Sequence, residues 1–293
     1  MAIDYRQGVS VAILIFYLPA LAIATFLSIR HGFRRSSGWR FMIIFTLARV
    51  LGSCLQLATI NQPRNYSLYI GYATLINIAL SPLELVAYGL LSRVITSINR
   101  STPTIVTPRH MQLAELLITV GLILSIIGGV NAGEDFGKTG IYKTQTLGKA
   151  GLGLFIAAFA FLCLVTAILV QSMRHVEEGE KRILLAVAVS LPFLLVRLVY
   201  SALAVFANKR SFSLFYGDTS ILLFMALLEE VIVVVIYEGV GLTLKKVRKD
   251  RLAGGGRGSG EYMMHMEGGN NEPERRGQEG GSWTLKLLTF IPH

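Results

Sequence analysis

Five ionisable side chains lie deep inside apolar stretches of this sequence, where a charge is costly. Two are arginines and three are carboxylic acids: Arg49, Arg197, Glu84, Glu229 and Glu230. Each such group costs at least about 2.5 kcal/mol at bilayer depth, and it tends to face the interior of a helix bundle. Two cations can hold two carboxylates, so one carboxyl is expected to remain without a cation. Because burial disfavours the charged form, that carboxyl is expected to stay protonated and to be able to act as a general acid.

The sequence does not rank the three candidate catalytic residues, which are Glu84, Glu230 and Glu229. Adjacent helical residues point about 100° apart, so at most one of Glu229 and Glu230 can face the same partner as Arg197. We favour Glu84 or Glu230 as the proton donor. The alternative interpretation is an ion-pair network that only fixes helix packing, because perturbed carboxyls arise in both cases.

Further polar and aromatic side chains at the same depth are candidates for lining a substrate site. Together with the arginines, the predicted binding residues are Arg49, Arg197, Tyr72, Tyr88, Tyr200, Gln56 and Asn77. Arg197 and Tyr200 are three residues apart and share a helix face, and an aromatic face stabilises a cation. Tyrosine in a membrane helix more often packs or lies at an interface, so packing is the alternative for each. Pro82 and Pro192 are expected to kink their helices.

Motifs for metal, phosphate or covalent chemistry do not occur in the sequence. It has no GxSxG, HExxH, Walker, CxxC or DDxxD-type motif, and its five histidines do not cluster. We therefore predict neither a metal site nor any other cofactor. Cys54 and Cys163 both lie inside apolar stretches, where a disulfide is not expected.

Seven apolar stretches carry these residues, and each is long enough to cross a bilayer. A hydrocarbon core about 30 Å thick needs about 20 mostly apolar residues in a helix, and backbone in lipid must satisfy its own hydrogen bonds. The predicted spans are Val9–Ile29, Trp39–Ile60, Tyr69–Ile98, Met111–Val130, Leu147–Gln171, Arg182–Ala207 and Thr219–Leu244. The sequence thus predicts an all-α membrane protein, a seven-transmembrane helix bundle. Its 16% of charged residues agrees, since soluble domains carry about 25%.

The charges of the connecting segments orient this bundle. Lys and Arg accumulate in cytoplasmic loops. The segments on the side of the C-terminus carry roughly twice as many Lys and Arg residues as the segments on the opposite side of the bundle. We therefore expect the N-terminus in a lumen or outside and the C-terminus in the cytoplasm. The net charge of +10 is then largely a topology signal, and no nucleic-acid partner is expected.

The chain divides by composition into two parts. Residues 1–250 are the predicted seven-span domain, and residues 251–293 are a Gly-rich cytoplasmic tail, which is expected to be disordered because it cannot bury a core. Within the domain, Asn131–Thr146 is predicted to be a polar loop. The first apolar run is too long for a cleavable signal, so we interpret it as a span. The predicted location is the endoplasmic reticulum or another endomembrane.

Several segments beside the candidate site form a recognisable pattern. They are Arg30-His31-Gly32-Phe33-Arg34-Arg35-Ser36-Ser37-Gly38-Trp39, Gly52-Ser53-Cys54-Leu55-Gln56-Leu57, Ser81-Pro82-Leu83-Glu84 and Leu91-Ser92-Arg93-Val94. With Arg49, and over roughly residues 5–250, they resemble a large fungal family of seven-span integral membrane proteins. Some members of that family are similar to the membrane-bound terpene cyclases of the ascofuranone pathway type.

This resemblance implies chemistry that needs no metal. Cyclases of this type protonate a terminal epoxide on a prenyl chain that is attached to an aromatic or polyketide head, and the carbocation then closes rings and loses a proton. The implied function is an isomerase-type terpene cyclase in meroterpenoid secondary-metabolite biosynthesis. The implied partners are a lipophilic prenylated small molecule, the lipid bilayer, and an upstream epoxidase and prenyltransferase in the same membrane. The alternative is a non-enzymatic seven-span receptor or lipid-responsive membrane protein, since fold does not imply function.

Overall fold

The computed structural model describes residues 5–31, 37–99, 106–139, 144–171, 178–206 and 218–244. These residues are almost entirely helical, and they belong to one compact unit that spans Met1–Lys246. The predicted tail, residues 251–293, lies outside the described residues. Its disorder therefore stays a prediction.

Seven helical stretches of the described chain are long and apolar enough to cross a membrane, as the sequence predicted. Their elements are α1 (Tyr5–His31), α2 (Ser37–Ala58), α3 (Tyr66–Ile78), α4 (Leu80–Ile98), α5 (Pro108–Thr139), α6 (Thr146–Gln171), α7 (Glu178–Phe206), α8 (Thr219–Leu222), a π-helical turn (Leu223–Leu227) and α9 (Leu228–Thr243). α3 and α4 together form the third span, and α8, the π turn and α9 form the seventh. The chain is a multi-pass membrane protein. The identity of the membrane and the orientation in it stay predictions.

The third span is broken at Ala79, which caps both α3 and α4. Pro82 explains the position of the break, because its ring lacks an N–H and would clash with the carbonyl four residues earlier, that of Ile78. Ser81 Oγ donates a hydrogen bond to this carbonyl at 2.8 Å. Near Pro82 the helix is therefore broken at the single residue Ala79, which itself keeps helical backbone angles, whereas Pro192 lies within the continuous helix α7.

α5 continues well beyond the predicted fourth span. The segment from Asn131 was predicted to be a polar loop, but the helix extends through Thr139, and that prediction was wrong for residues 131–139. The ring of Phe136 is buried and lies edge-on to Tyr66 at the start of α3, with 6.2 Å between centroids. This apolar contact stabilises the last turns of α5. The charged and glycine residues around Phe136 had lowered the hydrophobicity of this segment, so the sequence did not indicate a helix.

α4 lies at the centre of the bundle. Every residue from Leu80 to Leu91 is buried, and α4 contacts α2, α5, α6 and α7. α1 contacts α2 on one side and α9 on the other, so the outer helices close around the third span. Polar side chains in the first part of α4, those of Ser81, Glu84 and Tyr88, are consequently shielded from both lipid and water.

The ends of α1 and α9 meet on the same side of the bundle. Arg30 Nη1 donates to the Leu242 carbonyl at 3.1 Å, and His31 Nε2 lies 3.2 Å from the Gly241 carbonyl oxygen. The last carbonyls of a helix lack partners inside it, and basic groups near them are favourable. We call this side the C-side and the opposite side, where α1 begins, the N-side.

Glycines bring α5 and α6 into close contact. A Cβ built at Gly151 would lie 2.6 Å from the Gly121 carbonyl oxygen and 3.0 Å from the Ser125 backbone nitrogen. Neither backbone atom can move without shifting α5. Small residues allow membrane helices to pack backbone against backbone in this way, without a large apolar side chain between them.

Replacement of Gly151 by Leu should therefore destabilise the bundle. Overpacking costs about 1–3 kcal/mol, so the melting temperature of the detergent-purified protein should fall by several degrees, as measured by intrinsic fluorescence. The matched control is Gly153→Leu on the same helix, where a Cβ meets nothing within 4 Å. Equal melting temperatures for the two variants would contradict this account of the α5–α6 contact.

Candidate functional site

The carboxylate of Glu230 is the centre of the intramembrane charge cluster. It is fully buried on α9. Arg49 of α2 donates from Nη2 to its Oε2, and Arg197 of α7 donates from Nε to its Oε1 at 2.6 Å. We expected each arginine to hold a carboxylate of its own. Instead, within the described helices, both guanidinium groups meet on one carboxylate, and α2, α7 and α9 are tied together.

Arg197 uses its remaining donors to reach α3. Its Nη1 donates to Ser201 Oγ one turn along α7, and its Nη2 donates to the Ile76 carbonyl at 2.8 Å. Ile76 lies in the last turn of α3, where carbonyls have no partner inside the helix. The break at Ala79 thus exposes a backbone acceptor at the depth of the charged cluster.

Arg49 is less completely bonded than Arg197. It is 3% exposed, its guanidinium lies 5.8 Å from the centroid of the Phe45 ring, and its Nε has no hydrogen-bond partner among the described residues. It also lines a cavity of about 10 Å³, together with Ser53 and Tyr72. The cluster formed by Arg49, Arg197 and Glu230 therefore contains a buried donor without a partner among the described residues, on a side chain that lines a small cavity.

Glu84 is the deep carboxyl that stands apart from this cluster. It is fully buried on α4, and neither of its oxygens has a hydrogen-bond partner in the part of the chain that the structure describes. It lies within electrostatic reach of the Tyr88 hydroxyl and of the Cys163 thiol on α6. An isolated ionised carboxylate in an apolar interior is very costly, so this environment favours the neutral acid.

Glu229 is half-buried beside Glu230 and does not share its partners. Its Oε2 has no hydrogen-bond partner among the described residues. The expected difference between the adjacent glutamates is thus present. We expected one carboxyl to be left without a cation, and within the described chain the structure leaves two of the three in that state, Glu84 and Glu229.

Residues 3–247 match the family model described as a domain of unknown function, DUF7702. The chain belongs to the DUF7702 family. No functionally curated protein and no solved structure matches it. The match covers every helix that contributes to the charged cluster and to Glu84, but the family description names no activity.

Two of the three candidate tyrosines of this DUF7702 chain lie beside the arginines. The Tyr200 ring lies 5.8 Å from the guanidinium carbon of Arg197, in agreement with their spacing of three residues. Tyr72 is buried and lines the small cavity at Arg49. Both aromatic side chains therefore border the charged cluster.

The third tyrosine joins helices. The Tyr88 hydroxyl donates to the Ala158 carbonyl of α6 at 2.6 Å, and its ring stacks on Phe161 with 6.4 Å between centroids. These contacts fix α4 against α6. The packing alternative that we set beside each tyrosine is therefore the one that describes Tyr88 best.

The two predicted amide residues lie in different surroundings. Gln56 is buried on α2, and its Oε1 has no partner among the described residues. Asn77 lines a separate cavity of about 40 Å³, together with Ser201, the residue that accepts a hydrogen bond from Arg197. Asn77 is thus adjacent to the cluster through Ser201.

Sequence reasoning missed Tyr17, which is fully buried on α1. Its hydroxyl has no hydrogen-bond partner in the described chain, and its ring lies edge-on to Phe45 at 5.8 Å. It is within electrostatic reach of Glu230 and Arg49. The sequence did contain a signal for it. Tyr17 lies in the middle of the first span, and because a buried tyrosine hydroxyl normally needs a hydrogen-bond partner, its position suggested a polar environment there.

Sequence reasoning also missed a cavity that lies between α2, α3 and α5. Its volume is about 500 Å³, within the range of small-molecule sites. The lining is mostly apolar and comprises Leu55, Ser67, Ile70, Gly71, Thr74, Leu75, Ile78, Ile126, Val130 and Glu134. Ser67 and Glu134 lie towards the N-side, while Ile78 lies at the break in the third span. The cavity therefore has a polar end and an apolar, deeper end.

Proposed function

We propose that this protein is a membrane-bound terpene cyclase that acts by acid-initiated, metal-independent cyclisation of an epoxidised prenyl chain. The observation that carries the proposal is the environment of Glu84, a fully buried carboxyl with no hydrogen-bond partner on either oxygen among the described residues. Epoxide protonation needs an acid that keeps its proton until the substrate is bound, in a site that excludes water. Glu84 meets both requirements.

Glu84 would begin the reaction by donating its proton to the epoxide oxygen. The C–O bond to the more substituted carbon then breaks, and the epoxide oxygen becomes a hydroxyl. Double bonds of the prenyl chain attack the carbocation in turn and close the rings. The last cation loses a proton to a base, and the Glu84 carboxylate regains one before the next turnover. The product is an isomer of the substrate, so the reaction consumes no cofactor.

The cavity between α2, α3 and α5 is our candidate for the site of the prenyl chain. Its apolar length would hold hydrocarbon, and its polar end at Ser67 and Glu134 would hold the aromatic or polyketide head. Its deep end is lined by Ile78, six residues before Glu84 and about 9 Å away at the rise of a helix. A chain inserted in this direction would carry its terminal epoxide towards the acid.

The charged cluster has a positioning role in this proposal. Each carboxylate oxygen of Glu230 already accepts from a guanidinium, one from Arg49 and one from Arg197, so this carboxyl is committed to the cluster and not to a substrate. Among the candidate residues, the proposal therefore favours Glu84 over Glu230 and Glu229. The protein would work in the endoplasmic reticulum or another endomembrane, where a prenyltransferase and an epoxidase could supply its substrate.

A non-enzymatic, lipid-responsive membrane protein is the second candidate. The observation that favours it is the ion-pair cluster, which joins α2, α3, α7 and α9 through Glu230 and Arg197. A ligand that changed these contacts would change how four helices pack. Such a protein would bind a lipophilic ligand and release it unaltered.

One assay distinguishes the two candidates. Membranes that contain the full chain are incubated with a phenolic compound bearing an epoxidised prenyl chain, and the extract is analysed by chromatography with mass spectrometry. The cyclase proposal predicts a new compound of unchanged mass and different retention, which is not formed by membranes without the protein or from the compound before epoxidation. Saturable binding of the substrate with no isomer would instead support the lipid-responsive protein.

A further inference from the structure

The charged cluster of Arg49, Arg197 and Glu230 contains more positive than negative charge. Arginine stays protonated in proteins, and the two guanidinium groups share the single carboxylate of Glu230. No second carboxylate of the described residues forms an ion pair with either arginine. An uncompensated charge at this depth is strongly unfavourable, so the cluster requires a further negative charge.

The small cavity beside Arg49 is suited to an anion. Its lining is Ile13, Ala48, Arg49, Gly52, Ser53, Tyr72, Leu75 and Ile76. Three of these side chains, those of Arg49, Ser53 and Tyr72, carry hydrogen-bond donors, and none carries a carboxylate. Arg49 is 3% exposed, and its Nε has no partner among the described residues. The donors and the excess charge therefore lie at the same place.

The size of this cavity restricts what can bind. At about 10 Å³ it admits about one atom-sized species. A single-atom anion needs less room beside Arg49 than a carboxylate, sulfate or phosphate, in which two or more oxygens surround a central atom. We infer that a single halide ion, with chloride as the physiological case, binds beside Arg49 and completes the charge of the cluster. This inference is independent of the proposed cyclase activity.

The test measures the thermal stability of the full chain in detergent. Potassium gluconate is replaced stepwise by potassium chloride or bromide at constant ionic strength, so that general screening is unchanged. A ligand that binds only the folded state stabilises it by mass action. The melting temperature should rise by at least about 3 °C and saturate with halide concentration.

Two variants locate the effect. Arg49→Gln removes the excess charge and leaves the Arg197–Glu230 pair balanced. Gly52→Ala keeps both arginines and adds a methyl group to the lining of the cavity. The new Cβ fits without strain, because its nearest neighbours are Leu75 Cβ at 3.6 Å and Leu75 Cδ1 at 3.9 Å. Both variants should lose the halide-dependent shift. Gly239→Ala, where a Cβ meets nothing within 4 Å, is the matched control and should keep it.

Three results would overturn the inference. One is a melting temperature of the unmodified protein that does not respond to halide at constant ionic strength. Another is an equal halide shift in Gly52→Ala and Gly239→Ala, a comparison that decides the matter even when Arg49→Gln does not accumulate. The third is stabilisation by oleate without any effect of halide, which would assign the negative charge to the acidic group of a lipid.

Discussion

Replacement of Glu84 by Gln should lower the cyclisation turnover of an epoxidised substrate at least about 10²-fold, because positioned general acids contribute about 10²–10⁴-fold. The amide keeps the shape of the carboxyl but cannot deliver its proton to the epoxide oxygen. The loss should appear in kcat, while KM changes little. The measurement is the rate of isomer formation in membranes with matched protein content.

The same substitution should leave the amount of folded protein nearly unchanged. Neither oxygen of Glu84 has a hydrogen-bond partner among the described residues, so a neutral amide in place of a neutral acid removes no hydrogen bond. The matched control is Glu229→Gln, which changes a half-buried carboxyl one residue from Glu230 and should keep full turnover. Full activity of Glu84→Gln at normal abundance would rule out Glu84 as the acid.

The spans were predictable from sequence because they depend on local composition. Seven runs of about 20 apolar residues are required by the bilayer thickness, and the corresponding helices are present. Residues at bilayer depth that carry charge were also recognisable, and Arg49, Arg197, Glu84 and Glu230 are all buried. The hydropathy pattern predicted the wrong end for α5. The helix is stabilised there by the contact of Phe136 with Tyr66, and the pattern of one segment carries no information about a contact with another.

The pairing of the charged groups could not be predicted, because it depends on how the helices are rotated against one another. Counting charges suggested one carboxylate for each arginine. In the structure both arginines share Glu230. Arg197 also donates to the backbone carbonyl of Ile76, which lies in the last turn of α3 before the break at Ala79. A count of ionisable side chains does not include backbone carbonyls, so it could not indicate that one of them would accept a hydrogen bond from Arg197.

The cavities also result from packing between distant segments. Leu55, Gly71 and Glu134 line one space, although they belong to three different helices. A Cβ at Gly71 would lie 3.0 Å from Leu55 Cδ1, so the glycine preserves room that a larger residue would take. Nothing in the order of the residues indicates that these helices leave a space there.

Replacement of Glu230 by Gln should destabilise the protein far more than replacement of Arg49 by Gln. The first change leaves the guanidinium groups of Arg49 and Arg197 buried without their carboxylate, and breaking a buried ion pair in this way costs about 3–5 kcal/mol. The second leaves one arginine opposite one carboxylate. We therefore expect Glu230→Gln to lower abundance in membranes and the melting temperature, and Arg49→Gln to accumulate close to normally.

Arg197→Gln supplies the comparison that separates the effect of charge balance from the effect of individual hydrogen bonds. Like Arg49→Gln, it leaves a balanced pair, but it also removes the hydrogen bonds to Ser201 and to the Ile76 carbonyl. Its melting temperature should thus fall between those of the other two variants. If Arg49→Gln were the most damaging of the three, the cluster would be stabilised by the packing and hydrogen bonding of Arg49 rather than by the charge of Glu230. We expect the melting temperature to fall most for Glu230→Gln and least for Arg49→Gln, because the Glu230 carboxylate is the group that stabilises the two buried guanidinium groups.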